Sequence, residues 1–188
     1  MARKVSISKE IILESALNML IRDGYSSINV KTLASEIGCS TQPIVWHFNN
    51  MEGFRKALSV YALEYANSKN KSIGDAAKDF ENMGSNYVKM AVNEPNLFKF
   101  LYLGESSYEL KDSFKDKNNK TMATEIAHKF GISEQQALNC IRNIIFYSHG
   151  LATMVATGVI KMSQKKMMEM IKQASEAFLI REKGYMNE

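Results

Sequence analysis

From Ser8 onward the apolar positions fall three and four apart. Ile12, Leu13, Ala16, Leu17 and Leu20 mark one helical face. Ser8 stands where an N-cap is needed, Glu10 suits the positive first turn, and Gly24 suits a C-terminal stop, so the pattern predicts a helix over 8–23. A second, short helix is predicted over Val30–Ile37, capped by Asn29 and ended by Gly38. A third follows over 41–49, with Ser40 as its expected cap and Pro43 in the first turn, where a missing N–H costs nothing. Asn50 caps a fourth, with Phe54, Leu58, Tyr61 and Tyr65 on one face. That helix runs into the polar stretch "NSKNKSIGD", the best candidate for a boundary.

Further along, a helix is expected over 75–93, then a break at Pro95 and a short apolar helix "NLFKFLYLG". "SSYELKDSFKDKNNK" is polar enough to hold a loop, 121–130 reads as helix, and "GIS" as a stop and restart. Ser133 and Gln136 make a capping box for a long helix reaching about Gly158. Leu138, Ile141, Ile145, Ala152 and Val155 form one stripe on it, and Ile144, Tyr147, Leu151 and Met154 another. A helix apolar on two faces is buried by more than its own domain usually requires. Ser163 starts a last helix with Met167, Ile171, Ala174 and Phe178 on one face. No strand pattern or repeat interrupts this series. The expected fold is all-α, with about nine helices, and divides into a module over 1–50, a connecting helix over 51–70 and a helical domain over 71–188.

Composition narrows the function classes. Hydrophobic residues make up 45% and charged residues 23% of the 188, the balance of a soluble globular chain. Only 10 Gly and 2 Pro fit long helices. The formal charge of +4 permits nucleic-acid binding without demanding it. Cys39 and Cys140 have no paired spacing, which excludes a disulfide framework or a zinc ribbon and suits a reducing cytosol. The N-terminal stretch lacks a signal peptide's continuous apolar core, and no segment reaches the ~20 apolar residues of a membrane span. A cytoplasmic protein without a membrane partner is expected.

The two short helices carry the candidate chemistry. A helix-turn-helix needs a tight turn, a small residue where the helices cross, and apolar residues gripping both. Gly38 supplies the turn and Ala34 the small contact, while Leu33, Ile37, Cys39 and Ile44 supply the grip. A plain helical hairpin has the same spacing. With Ile44 and Phe48 inward, a 100° step turns Gln42 and Trp46 most directly outward, with Pro43 and Val45 beside them and Thr41 and His47 at the borders. Gln bonds the adenine edge in bidentate fashion and apolar groups meet thymine methyls. Ser, Thr and His suit phosphate oxygens. The bland alternative is that Trp46 folds back onto the module.

These residues resemble a known family. "NVKTLASEIGCSTQPIVWHFNNMEGF" is similar to the DNA-binding module of TetR-family transcriptional regulators, and the likeness extends over residues 8–65. The resemblance implies a two-domain, all-α homodimer: an N-terminal helix-turn-helix on a palindromic operator, a C-terminal domain holding a small-molecule effector, and a four-helix dimer interface from the last two long helices. Carried onto this chain, Ser40, Thr41, Gln42 and Pro43 fall at base- or phosphate-reading positions, and Val45, Trp46 and His47 near the backbone and groove. Asn29 and Lys31 match phosphate contacts, and Arg3 and Lys4 resemble a basic arm able to reach a minor groove. Two departures stand out. The family usually has Tyr where Val45 stands and Lys where Met51 stands, both phosphate contacts. Arg55 or Lys56, one turn on, is placed to compensate.

In the second domain Tyr87, Met90, Phe98, Tyr102 and Met122 belong to an aromatic and Met-rich interior, which is either an ordinary core or, as the family implies, an effector pocket, with His149 as a further candidate lining residue. The family's dimer helices put Ile141, Ile145, Ala152, Val155, Met167, Ile171 and Phe178 forward as interface positions. Gly150 in mid-helix, with Ala152 and Ala156 nearby, points to a close helix approach within the core or across a dimer. His47, His128 and His149 have no ligand spacing with one another or with either Cys, so no metal site is expected. Nothing calls for a cofactor, and no catalytic set is present. The reading is a repressor released from its operator by a small apolar or aromatic ligand. The alternative is a helical small-molecule- or protein-binding dimer that has lost sequence-specific DNA binding.

Overall fold

The computed structural model describes residues 7–69, 87–104, 106 and 117–184. Every regular element among them is helical: α1 (Lys9–Asp23), a 3-10 turn (Tyr25–Ser27), α2 (Val30–Ile37), α3 (Gln42–Phe48), α4 (Met51–Ser68), the helical residues 87–93, α5 (Pro95–Tyr102), α6 (Lys117–Phe130), α7 (Glu134–Ala156) and α8 (Gln164–Gly184). The chain forms two compact units. One takes the described residues through Ser68 together with those of Asn96–Tyr108, and the other takes those of Lys69–Pro95 and Glu109–Glu188.

Most helix ends follow the local rules. The Ser8 side chain accepts from the Ile11 N–H, and Gly24 closes α1 at φ 86°. Ser133 and Gln136 form the reciprocal capping box of α7. The Asn50 side chain accepts from the Gly53 N–H at 2.8 Å. Three ends differ from expectation. Ser40 does not cap α3; Thr41 holds the N-cap position with already helical angles (φ -69°, ψ -18°) and no side-chain bond, so the extended backbone that aims a cap is absent. Pro95 does not precede α5 but opens it, at the position where proline is best tolerated. α6 begins at Lys117, ahead of the apolar period at Met122 that made it legible.

The first unit is built on α1, whose Ile12, Ala16 and Leu20 are fully buried. Leu33, Ile44, Phe54 and Leu58 complete the core from α2, α3 and α4. Burying each such side chain is worth about 1.5–3 kcal/mol, which helps fix α2, α3 and α4 against α1. Tyr25 and Phe100 meet at 4.9 Å between ring centroids. The Asn96 amide donates to the Ile21 and Arg22 carbonyls at 3.2 and 3.4 Å, satisfying the C-terminal end of α1.

In the second unit α7 packs against α6 and α8. Both apolar stripes of α7 contribute: Ile141 and Ala152 from one, Ile144 and Leu151 from the other, all buried. Cys140 is fully buried there, and its thiol is pushed up to about 11 by burial and, secondarily, by the nearby Glu182 carboxylate. No described helix is long and apolar enough to cross a membrane.

Candidate nucleic-acid interface

The recognition element is positioned from α2 upward. The Asn29 oxygen accepts from the Lys31 and Thr32 N–H groups at 2.9 and 3.0 Å, and the Thr32 hydroxyl accepts from the Asn29 N–H at 2.9 Å. At the other end Gly38 is left-handed (φ 74°, ψ 35°). The Gly38 N–H reaches the Ser35 carbonyl and the Cys39 N–H reaches the Ala34 carbonyl, at 3.2 and 3.0 Å, a Schellman closure that a Cβ-bearing residue would strain. Ala34 is buried at the crossing, and Ile44 and Phe48 bury the inner face of α3. This is a helix-turn-helix rather than a loose hairpin.

The far end of α3 is held as tightly. Asn49 has positive φ (63°, with ψ -48°), and the Asn50 N–H bonds the Phe48 carbonyl at 2.7 Å across it. That is a γ-turn of the strained hand, which Asn tolerates better than most residues. The next turn is α4, where a Cβ at Gly53 would collide with the Phe48 carbonyl oxygen. Phe48 also stands edge-on to Phe54 at 5.3 Å, with the Lys9 ammonium 5.7 Å from its ring centroid. The imidazole Nε2 of His47 donates to the Ile7 carbonyl at 3.0 Å, tying α3 to the start of α1.

What remains outward is apolar and neutral. Trp46 is 77% and Val45 51% exposed. Ser40, Thr41 and Gln42 are exposed, and Pro43 and His47 half-buried. Trp46 therefore does not fold back; it contacts only the neighbouring His47 ring, 5.0 Å away, among the ring contacts described. From Ile37 to Met51 the chain has no Asp, Glu, Lys or Arg.

Charge lies around this face. Arg22 grips Glu36 with both Nη atoms, at 3.0 and 3.1 Å, and Asp23 through Nε at 2.8 Å. The hydrogen bond from Arg22 holds the Glu36 carboxyl below the usual carboxylate range. Lys56 pairs with Glu52 at 2.9 Å, while Lys31 is exposed. Arg55 is half-buried, and its Nε has no hydrogen-bond partner among the described residues. Asn29 is exposed, but its oxygen is spent on the α2 cap. Arg3 and Lys4 lie outside the described residues. Asn49, Gly53 and the Arg22–Glu36 pair were missed in the sequence, although Asn after a helix and Gly in a first turn are recognisable signals.

The residues put forward for an effector pocket are divided between the two units. The Tyr87 hydroxyl bonds the His149 Nδ1 at 2.7 Å in the second unit, where burial pulls the imidazole below its usual range. Met90 is buried and Met122 half-buried in that unit. Phe98 and Tyr102 instead belong to the first unit, their rings 5.3 Å apart. A polar recess of about 450 Å³, unsuspected from the sequence, is lined by Gln136, Asn139, Arg142, Asn143, Arg181 and Glu182. The interface positions divide by their burial within the chain. Ile141, Ala152, Met167 and Ile171 are buried within their own chain, and Ile145, Val155 and Phe178 pack partly buried against that core. Periodicity located the apolar face but not its partner. The exposed apolar residues of α7 and α8 are Phe146, Met154 and Ile180. Among the described residues nothing stands where a Cβ at Gly150 would, so no close approach among them requires it. Among the described residues no group of three or more His, Cys, Asp or Glu is placed to hold a metal ion.

Residues 12–58 match the family described as bacterial regulatory proteins, tetR family. Over 63 residues the chain is 30% identical to an HTH-type transcriptional regulator of Mycobacterium tuberculosis, covering 34% of this chain and 29% of that protein. The match to the HTH-type regulator YvkB of Bacillus subtilis is 26% over 173 residues, 84% of this chain and 89% of YvkB. A crystal structure of a TetR variant from Acinetobacter baumannii in complex with minocycline shares the fold, with a TM-score of 0.58 and 14% identity over 93% of this chain and 95% of that one.

Proposed function

We propose that this chain, a TetR-family transcriptional regulator, binds a palindromic operator as a homodimer and is released from it by a small apolar or aromatic effector. One observation carries the DNA assignment: α3, fixed by a Schellman turn at one end and the Asn49 turn at the other, offers Gln42, Val45 and Trp46 to solvent, with none of the described residues covering them. A Trp left so exposed costs hydration free energy unless a partner removes it from water. Thr41, Ser40, Lys31 and Arg55 stand around this face as phosphate contacts, which set register rather than sequence.

Support for the effector is the Tyr87–His149 hydrogen bond, a polar handle in the unit that also holds the buried Met90. Effector and operator oppose each other through reciprocal coupling, each lowering affinity for the other by the same factor. The dimer is supported by Phe146, Gly150 and Met154, which follow at i, i+4 and i+8 on α7, with Ile180 exposed on α8.

The test is footprinting of the purified chain on genomic duplex fragments, followed by Trp46→Ala. A palindromic footprint that the variant gives only at higher protein concentration, with helicity and dimerisation unchanged, is the expected result. Binding that follows only bulk ionic strength, with no protected site, refutes the regulator reading and leaves a helical binding protein.

A further inference from the structure

The surface of α3 has a chemistry that selects its bases. Guanine is most often read by Arg or Lys reaching its two acceptors in the major groove, and cytosine by a carboxylate accepting from its amino group. Neither is available, because Ile37 to Met51 contains no charged residue. Within α3 itself the exposed groups are instead one amide, Gln42, and two large apolar surfaces, Val45 and Trp46, with the Ser40 and Thr41 hydroxyls just ahead of them. An amide matches the donor–acceptor pair of adenine, and apolar side chains match the C5-methyl of thymine, the one apolar group any base shows in the major groove.

From this we infer that each α3 reads A·T pairs, with thymine methyls seated on Val45 and Trp46 and an adenine edge on Gln42. The inference rests on the DNA-binding reading above and adds the base class. With no cation on the reading helix, the salt dependence of binding comes from the groups around it, which contact phosphate rather than bases.

The experiment selects bound duplexes from a random pool with the full chain, then replaces single thymines of the recovered half-site with deoxyuridine. Removing one contacted methyl is expected to weaken binding roughly fourfold, the worth of one buried CH₂-sized group. In Trp46→Ala or Val45→Ala the same replacement at the matching position has no effect, as a double-mutant cycle requires of a direct contact. Both side chains are exposed, so neither variant threatens folding, and circular dichroism verifies that. A half-site of G·C pairs at the contacted positions overturns the inference but leaves the regulator standing. So does an A·T half-site indifferent to deoxyuridine. A pool with no enriched sequence overturns the DNA-binding reading and this inference with it.

Discussion

Replacing Gly53 with Ala would drive a methyl group into the Phe48 carbonyl oxygen. The obstacle is backbone, and that carbonyl is already fixed by the Asn50 N–H at 2.7 Å. Neither partner has a flexible end to yield. Helix propensity alone favours Ala over Gly by about 1 kcal/mol, so the uninformed expectation is a gain. Overpacking of this kind costs about 1–3 kcal/mol. With rigid backbone as the obstacle the cost falls at the upper end of that range, which leaves a net loss of about 2 kcal/mol, or roughly 4–8 °C in the thermal midpoint of a chain this size. Relief comes by moving the last turn of α3 away from α4, which misplaces Trp46 and His47. Urea denaturation should therefore show a lower midpoint with an unchanged slope, and operator affinity should fall further than stability alone explains. A Gly53→Ala protein as stable as the native one, or more so, would refute the account of the α3–α4 junction.

Asn49→Gly should leave stability within a few tenths of a kcal/mol, whereas Asn49→Val should cost about 1–2 kcal/mol through its positive φ, read by thermal denaturation; equal midpoints would remove the strain argument. Asn29→Ala should lose about 1 kcal/mol with its capping box, and Asn29→Asp should restore the fold while weakening DNA binding; an Asp variant that binds like the native protein would mean Asn29 lies far from phosphate. Gly150→Ala adds a methyl that meets none of the described residues, so the helix should be undisturbed while dimer dissociation rises in sedimentation; unchanged dimerisation would take the α7 stripe out of the interface. His149 has a folded-state pKa below its unfolded value of 6.5, so the stability it contributes is complete above that value and is lost as pH falls through the folded one. Lowering the pH from about 7.5 to about 5.5 should therefore depress the thermal midpoint more in the native chain than in His149→Gln, and parallel curves would contradict a buried neutral imidazole.

Much of the first unit was legible because its determinants are local. Ser8, Gly24, Asn29 and Gly38 each act within a few residues, and α2 falls on its expected bounds. The outward turn of Gln42 and Trp46 followed from a single angle once Ile44 and Phe48 were placed inside. Ser40 failed as a cap because capping depends on the preceding backbone angle, which residue type does not dictate. Ile141, Ala152, Met167 and Ile171 show the larger limit. A 3.6-residue period identifies which face is apolar, but the same stripe serves an internal core or a second subunit, and only packing decides. Phe98 and Tyr102 show a related one, since aromatic composition says nothing of which body a short helix joins.

Asn96 ends α1 by hydrogen bonding and Phe100 lies against Tyr25, yet both belong to a segment far down the chain from Ser68. The reading unit is thus not a contiguous cassette. A fragment stopped at Ser68 keeps every recognition residue but releases the Ile21 and Arg22 carbonyls and one face of the Tyr25 ring to water. Exchanging operator preference between such proteins by swapping heads therefore takes two grafts, Lys9–Ser68 and Pro95–Tyr102, or else substitutions confined to the outward face of α3.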